Sequence, residues 1–392
     1  MKIGVYAPFY HPFEGGAERV ARRVSHLLSA NHEVTVFTLQ YDQSLPLIEH
    51  DNDIIVRRFP YKAMYPLGLT KTNAPQLLKT LQTADIDILH IHGVVFTDVM
   101  LNVVKVMNAR QIPTVLIPHG LFEAFYGDTK LASWRRNLSV FFVRLFLRLL
   151  LRTISHIALT SPEEKKILQY FQFPVEKTTV VYNGFEPPDR DMASASRFRQ
   201  QHQLGSDIVL LQVASVKPNK GHDLVVEALK QIKDKVPNVH YVAVGNKSGL
   251  WGEYAQKVEK LAHQSGVGQR VALLGHISDE ELVDAYAATD IVLLPSLAET
   301  FPLSVLDGMA WGKAVIATDV GGVSHMITND KDGYLIPAND IPILAESILT
   351  LACSPDERAR LGQAAQKTVS KFSWDQVIAR YEQISQQLIG ED

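Results

Sequence analysis

Cysteine is nearly absent: Cys353 stands alone in 392 residues. A disulfide within the chain is excluded, and a reducing, cytoplasmic setting is expected. Long apolar runs are missing too. No uncharged apolar stretch reaches about eighteen residues, so no membrane-spanning helix is expected. The opening "MKIGVYAPFYHPFEGG" has too short an apolar part for a secretion signal and runs into a glycine loop. Positive charge is not in excess. Lys and Arg number 39 against 42 Asp and Glu, a formal net charge of −3, which argues against nucleic acid as a partner. Neither low-complexity tracts nor repeats of about 20–50 residues occur, which removes solenoids and propellers.

What is present is alternation. Ile3–Ala7 reads as a strand, followed by the loop "PFYHPFEGGAE". Val20, Val24, Leu27 and Leu28 then recur at helical spacing, and "EVTVFT" is the next strand. Further strands are expected at Ile54–Arg57, Ile86–Ile91, Thr114–Ile117, Ile154–Leu159 and Thr179–Tyr182. A second series starts near Asp207: "DIVLLQVAS", "VHYVAVG", "RVALLGH", "DIVLLP", "AVIAT" and "GYLIP". Strands that alternate with helices imply parallel sheets covered on both faces. The expected fold class is α/β, with two Rossmann-like domains facing a central cleft. The boundaries read as 1–185, 186–371 and a C-terminal helix over 372–392 that packs back toward the first domain. Ser373 and Gln376 have capping-box spacing at its start.

The segment "SLAETFPLSVLDGMAWGKAVIATDVGG", 296–322, carries the chemistry. A strand at Ile291–Leu294 ends at Pro295, and a helix is expected from Pro302 or Leu303. Unbonded N–H groups at Leu303 and Ser304 would form an anion site, favoured by the helix dipole. Glu299 and Asp307 flank it. A carboxylate beside a phosphate is repelled, so each should face neutral hydroxyls. A nucleotide sugar satisfies both demands, with its diphosphate on the amides and its ribose and sugar hydroxyls on the carboxylates. The plainer alternative makes Asp307 a helix-terminus charge and Glu299 a solvated loop residue.

The same segment resembles the donor-site signature of glycosyltransferase family 4, retaining enzymes of the GT-B architecture. The resemblance extends through "GGAERV", "PHG" at 118–120, "VVYNG" at 180–184, "KPNKGHDLVVEAL" at 217–229 and "GHISDEELVDAYAATDIVLLPS". It implies that Glu299 contacts the transferred sugar and Asp307 the ribose. The family has a glutamate where this chain has Asp307. Phe301, Pro302, Leu303 and Ser304 would complete the donor loop. Gly15 and Gly16 would present backbone N–H groups to diphosphate or acceptor, because a glycine backbone can be approached closely. An ordinary tight turn is the alternative for them.

Lys220 matches the lysine that neutralises the leaving diphosphate, and His119 the histidine of the family's "HG" pair. Five residues before Lys220 the family has arginine; here it is Ser215. Losing such a donor costs about 3–4 kcal/mol of transition-state stabilisation, and Lys217 is expected either to supply the charge or to be a solvated surface lysine. Base recognition is expected near His276 and Ile277. His325 replaces a family glutamate. No metal or other cofactor is implied.

Weaker signals remain. Asp51-x-Asp53, Asp85-x-Asp87 and Asp189-x-Asp191 share the spacing of a metal–diphosphate motif, but so short a pattern is unspecific. His90 and His92 are spaced like metal ligands on one strand face, with a structural role expected instead. In "WRRNLSVFFVRLFLRLLLRT", 134–153, Arg136, Arg144, Arg148 and Arg152 recur at multiples of four among Leu, Phe and Val. Such a helix either meets an anionic membrane surface, with a lipid-linked acceptor, or lies in the first domain with its arginines reaching solvent or acceptor.

The function implied is retaining, metal-independent transfer of a sugar from a nucleotide-diphosphate sugar to a hydroxyl acceptor, such as a lipid-linked or polysaccharide precursor. The site would be cytoplasmic, on or off the inner face of the plasma membrane. A sugar-nucleotide epimerase, or a binding or partner protein that has lost catalysis, is the alternative.

Overall fold

The computed structural model describes residues 1–13, 15–64, 71–94, 98–121, 144–188 and 194–390. They form two compact units, Met1–Asn183 with Asp375–Asp392, and Gly184–Trp374.

The first unit is built on an eight-stranded sheet. Its strands are β1 (Lys2–Tyr6), β2 (Glu33–Leu39), β3 (Ile48–Asp51) and β4 (Ile54–Phe59). After a small hairpin of β5 (Lys62–Met64) and β6 (Lys71–Asn73), β7 (Ile88–His92), β8 (Thr114–Ile117), β9 (His156–Leu159) and β10 (Thr178–Val180) complete the sheet. The order is β10-β9-β8-β7-β1-β2-β4-β3. Every neighbouring pair is parallel except β3 with β4, so β3 is an antiparallel edge. Parallel strands sheltered on both faces read as continuous apolar runs; all four residues of β8, Thr-Val-Leu-Ile, are buried.

Helix Gly16–Ser29 buries Val20, Val24 and Leu28 of the expected stripe, and Ala21 besides, while Leu27 is half-buried. The C-terminal helix, Trp374–Ile389, joins this unit from Asp375 onward. His32 Nε2 meets Glu382 Oε1 at 2.9 Å, and buried His90 Nε2 meets Ser385 Oγ at 2.9 Å. Each fully buried aliphatic chain contributes on the order of 1.5–3 kcal/mol, so the apolar faces hold the unit together and the polar pairs fix where the helix docks.

The second unit carries six strands, all parallel: β11 (Ile208–Val213), β12 (Val239–Val244), β13 (Val271–Gly275), β14 (Ile291–Leu294), β15 (Ala314–Thr318) and β16 (Tyr334–Ile336). Their order is β13-β12-β11-β14-β15-β16. Succession runs outward from β11 on one side and from β14 on the other, so the loops after these two strands open at a topological switch point, where such sheets bind ligands. In the first unit the same reversal falls between β1 and β7. The entry to the second unit is clasped. Phe185 N donates to Phe372 O at 3.1 Å, and a Cβ on Gly184 would lie 2.4 Å from the Trp374 indole.

Candidate functional site

At the switch point of the second unit, Lys220 ends a short turn, Pro218–Lys220, that follows β11. Glu299 lies in the loop after β14. Lys220 Nζ donates to Glu299 Oε1 at 2.6 Å. Both side chains are largely buried, 16% and 9% exposed. The expectation that these residues share one place is met by a direct ion pair. Each charge neutralises the other, and a buried pair this close is costly to break by deleting one partner.

Two turns hold Glu299 in place. Thr318 Oγ1, at the end of β15, donates to the Ser296 and Leu294 carbonyls at 2.6 and 3.2 Å. Gly321 then turns with φ +54 directly against the Glu299 carbonyl; a Cβ there would lie 1.7 Å from that oxygen. Gly322 N donates to Thr300 O at 2.9 Å. The "TDVGG" sequence thus positions the carboxylate-bearing loop, a role its composition did not disclose.

The helix after this loop spans Leu303–Ala310, with Pro302 as its cap residue. Leu303 and Ser304 are half-buried at its first turn, where helix amides lack intrahelical partners. Asp307 is half-buried one turn further in. A Cβ on Gly308 would lie 2.9 Å from Val292, so the glycine permits the helix to press onto β14. Phe301 is buried with its ring 5.4 Å from Phe372, edge to face. Pro302 is buried as well. These two anchor the loop in the core. Ser215 is exposed, Lys217 half-buried, His276 exposed and Ile277 half-buried, each at the carboxyl edge of the sheet. His325 ends the short turn Val323–His325 and is exposed.

The first unit gathers different chemistry. His119 follows β8 in the left-handed region, φ +53, with Gly120 at φ +141. Its Nε2 lies 2.9 Å from Nδ1 of His92, at the end of β7, and the rings stack at 5.2 Å. Burial lowers His119 to about 4; burial, with His119 and His90 nearby, drives His92 well below the usual histidine value. Both are neutral near pH 7, one donating and the other accepting.

Glu164, fully buried, accepts from Leu121 N at 3.0 Å and Thr160 N at 2.9 Å. Burial pushes its carboxyl up. It ties down the chain just beyond His119 and Gly120, which sequence reasoning had not singled out.

Gly15 caps the helix at 16–29 with extended backbone. Glu18 Oε2 would be 2.2 Å from a Cβ on Gly15, whereas nothing stands within 4 Å of one on Gly16. The carboxylate already lies over Gly15, which of the two ligands expected there, diphosphate or acceptor, favours a neutral acceptor hydroxyl. Gly16 alone offers open approach.

The remaining sequence signals fall elsewhere. Lys2 pairs with Asp85 and its N–H with Asp87, at the amino edge of β1 and β7, away from the strand ends that carry His92 and His119. Asp51 pairs with Arg22 and His26. Asp189 and Asp191 lie outside the described residues, as does Arg136. Among the described residues, no group of three or more His, Cys, Asp or Glu is placed to hold a metal ion. Of the expected stripe, Arg144 and Arg148 lie in the helical segment 144–151 and Arg152 directly after it. Arg144 donates to Tyr170 Oη at 3.3 Å and lies over its ring, 5.2 Å from the centroid, while Arg148 and Arg152 are exposed. No helix among the described residues is long and apolar enough to cross a membrane.

Two family models divide the chain between them. "Glycosyltransferase Family 4" matches residues 14–187 and "Glycosyl transferases group 1" residues 194–368. This chain belongs to glycosyltransferase family 4. A D-inositol 3-phosphate glycosyltransferase of Xylanimonas cellulosilytica is 30% identical over 230 residues, 57% of this chain and 54% of the relative. A lipopolysaccharide 1,2-N-acetylglucosaminetransferase of Salmonella typhimurium is 30% identical over 222 residues, 54% of this chain and 57% of the relative. The chain thus spans about half the length of these curated relatives. Anabaena HepE, solved in complex with UDP and glucose, has a TM-score of 0.78 at 21% identity, over 98% of each chain. That likeness shows the fold: two parallel-sheet α/β domains of the GT-B architecture.

Proposed function

We propose that this family 4 member transfers a sugar from a nucleoside-diphosphate sugar to a hydroxyl acceptor, with retention at the anomeric carbon and without a metal ion. The observation that carries the reading is the Lys220–Glu299 pair, 2.6 Å apart at the switch point of the second unit. Lys220 supplies the positive charge that a departing diphosphate requires, and charge stabilisation of this kind acts chiefly in the transition state. The amides of Leu303 and Ser304 give the diphosphate a second hold. Glu299, released from the lysine as the phosphate arrives, accepts hydrogen bonds from hydroxyls of the transferred sugar, and Asp307 from the ribose. Lys217 is assigned to the leaving group in place of the arginine that Ser215 replaces. No protein nucleophile is assigned: the acceptor hydroxyl attacks on the face the phosphate leaves, and a phosphate oxygen takes its proton. In the first unit, neutral His119 is assigned to hydrogen bonding rather than charge.

The acceptor is proposed to be lipid-linked, with the protein peripheral on a cytoplasmic membrane face. Leu145 and Leu149 are 44% and 45% exposed beside exposed Arg148 and Arg152. Apolar side chains flanked by arginine suit an anionic interface. Two of the four arginines expected on that surface carry the proposal.

Release of nucleoside diphosphate from a panel of nucleotide sugars, with EDTA present, tests the reading. Lys220→Ala is expected to lower turnover by about 10²–10³-fold and Glu299→Gln to do the same within about tenfold. The anomeric configuration of the product should match the donor. Undiminished turnover in Lys220→Ala removes the lysine from the chemistry.

A further inference from the structure

Three side chains in the interior of the second unit are polar where the sheet calls for apolar ones. Gln212 on β11, Tyr241 on β12 and His222 at the start of the helix His222–Ile232 are each fully buried. Leu210 pairs with Tyr241 in register, so Gln212 lies one pleat further along the same face. Tyr241 Oη donates to Gln212 Oε1 at 2.7 Å and stands 2.7 Å from His222 Nδ1. The two outer members of this row reach the backbone of a single loop. Gln212 Nε2 donates to the Lys220 carbonyl at 2.7 Å, and His222 Nε2 lies 3.1 Å from the Ser215 carbonyl. Ser215 and Lys220 are the two ends of the turn that presents Lys220.

A buried polar group must be satisfied or it costs stability. Tyr241 has one proton, given to Gln212, so neutral His222 donates from Nδ1 to Tyr241 Oη and has no second proton for the Ser215 carbonyl. Gln212 finds its outer partner on the loop, at Lys220, and is satisfied there only if the loop keeps its position. The loop is braced from its other side as well. Leu297 N donates to Asn219 O at 2.8 Å. Gly221, φ +70, leaves no room for a side chain against the Pro295 carbonyl, whose oxygen would lie 2.2 Å from a Cβ there. The 295–297 stretch leads directly to Glu299. One fixed turn therefore sets the lysine relative to the carboxylate.

We propose that Gln212, oriented by Tyr241 and His222, is a positioning residue that clamps the Lys220 end of the 215–220 loop from beneath and so holds Lys220 for the donor diphosphate. The part concerning the donor rests on the proposed function; the clamp itself does not.

The test is Tyr241→Phe, which removes the one hydroxyl joining the two halves of the row and keeps the ring. Amide hydrogen exchange by mass spectrometry should quicken about tenfold in peptides covering 215–221, with β11 and β15 unchanged, the local signature of the two buried bonds lost with the hydroxyl. The KM for UDP-glucose should rise about fivefold or more, a change that a smaller folded fraction cannot produce. If the variant does not fold, Gln212→Met is read in the same way. Unaltered exchange at 215–221, or equal quickening throughout the unit, overturns the clamp. A KM that stays at the wild-type value while the loop loosens overturns the part of the proposal that holds Lys220 for the donor. Failure of the wild-type chain to bind UDP-glucose overturns the donor reading with this nucleotide, and the exchange result then decides the clamp alone.

Discussion

The two units carry the same kind of sheet and end their strands in opposite chemistry. Where the second unit sets a full ion pair, Lys220 with Glu299 at 2.6 Å, the first sets two histidines, 2.9 Å apart. Burial keeps those histidines uncharged near neutral pH. A diphosphate leaving group demands fixed charge, because its negative charge grows as the bond breaks. A hydroxyl acceptor demands hydrogen bonds and no net charge. The contrast suits the division of labour between donor and acceptor that is proposed for the two units. It teaches that the parallel-sheet edge dictates where a ligand binds, and the loop residues dictate which ligand.

The largest expected break in this comparison comes from a pair of glycines, one in each unit. Gly321→Ala places a methyl 1.7 Å from the Glu299 carbonyl at a residue with φ +54. Strain and collision together should cost about 2–4 kcal/mol and displace Glu299, so both urea midpoint and turnover fall. Gly16→Ala meets nothing within 4 Å, and its stability should stay within about 0.5 kcal/mol of wild type. Any loss of ligand affinity in that variant then reports close approach at the first-unit turn. Equal stability losses in both variants would remove the distinction between a glycine needed for packing and one needed for access.

Much of this arrangement was legible in the residues. Continuous apolar runs gave the parallel strands, since β14 and β15 are buried along their full lengths. The proline–helix start at 302–303 followed from capping chemistry, and Glu299 and Lys220 from their motifs. What escaped has physical causes. Strand β3 is short, exposed at alternate residues and carries "IEHD", which has no apolar period to detect. Phe301 stands within the donor motif, and only packing reveals that its ring turns toward Phe372. Glu18 over Gly15, and Glu164 behind Leu121, are side-chain placements set by tertiary contacts. Spacing encodes which residues share a face; it does not encode which carboxylate folds back onto its own helix.

Acid should separate the two units by a smaller margin. His90 and His222, each buried, are lowered by burial to about 4. In the unfolded chain a histidine titrates near 6.5. Between those values the unfolded state binds the additional proton, so stability is intact above about pH 6.5 and drains away as pH falls toward 4. A single buried histidine of this kind withdraws about 3 kcal/mol over that window. The first unit holds His92 and His119 as well as His90, all lowered, against His222 in the second. Pulse proteolysis in urea at pH 7 and pH 4.5, with fragments identified by mass, should show the first unit losing more. Equal losses would mean that the His92–His119 pair accepts protons without opening.

The smallest effect concerns the surfaces. In the first unit, exposed Leu145 and Leu149 lie on the same helical segment as Arg148, with exposed Arg152 directly after it. The second unit's exposed large apolar residues, Leu297 at 45% and Ile343 at 37%, belong to a loop and to the start of a helix, far apart in sequence. Among the described residues, only the first unit therefore joins apolar side chains and arginines into a strip. Each arginine near an anionic surface is worth about 1 kcal/mol, so Arg148→Glu with Arg152→Glu should reduce co-sedimentation with phosphatidylglycerol vesicles by at least about tenfold at low salt. Arg144→Glu should change it less, because that guanidinium is engaged by Tyr170. Sedimentation that survives the double reversal and raised salt would leave the leucines as ordinary surface residues and the acceptor without a membrane to rest on.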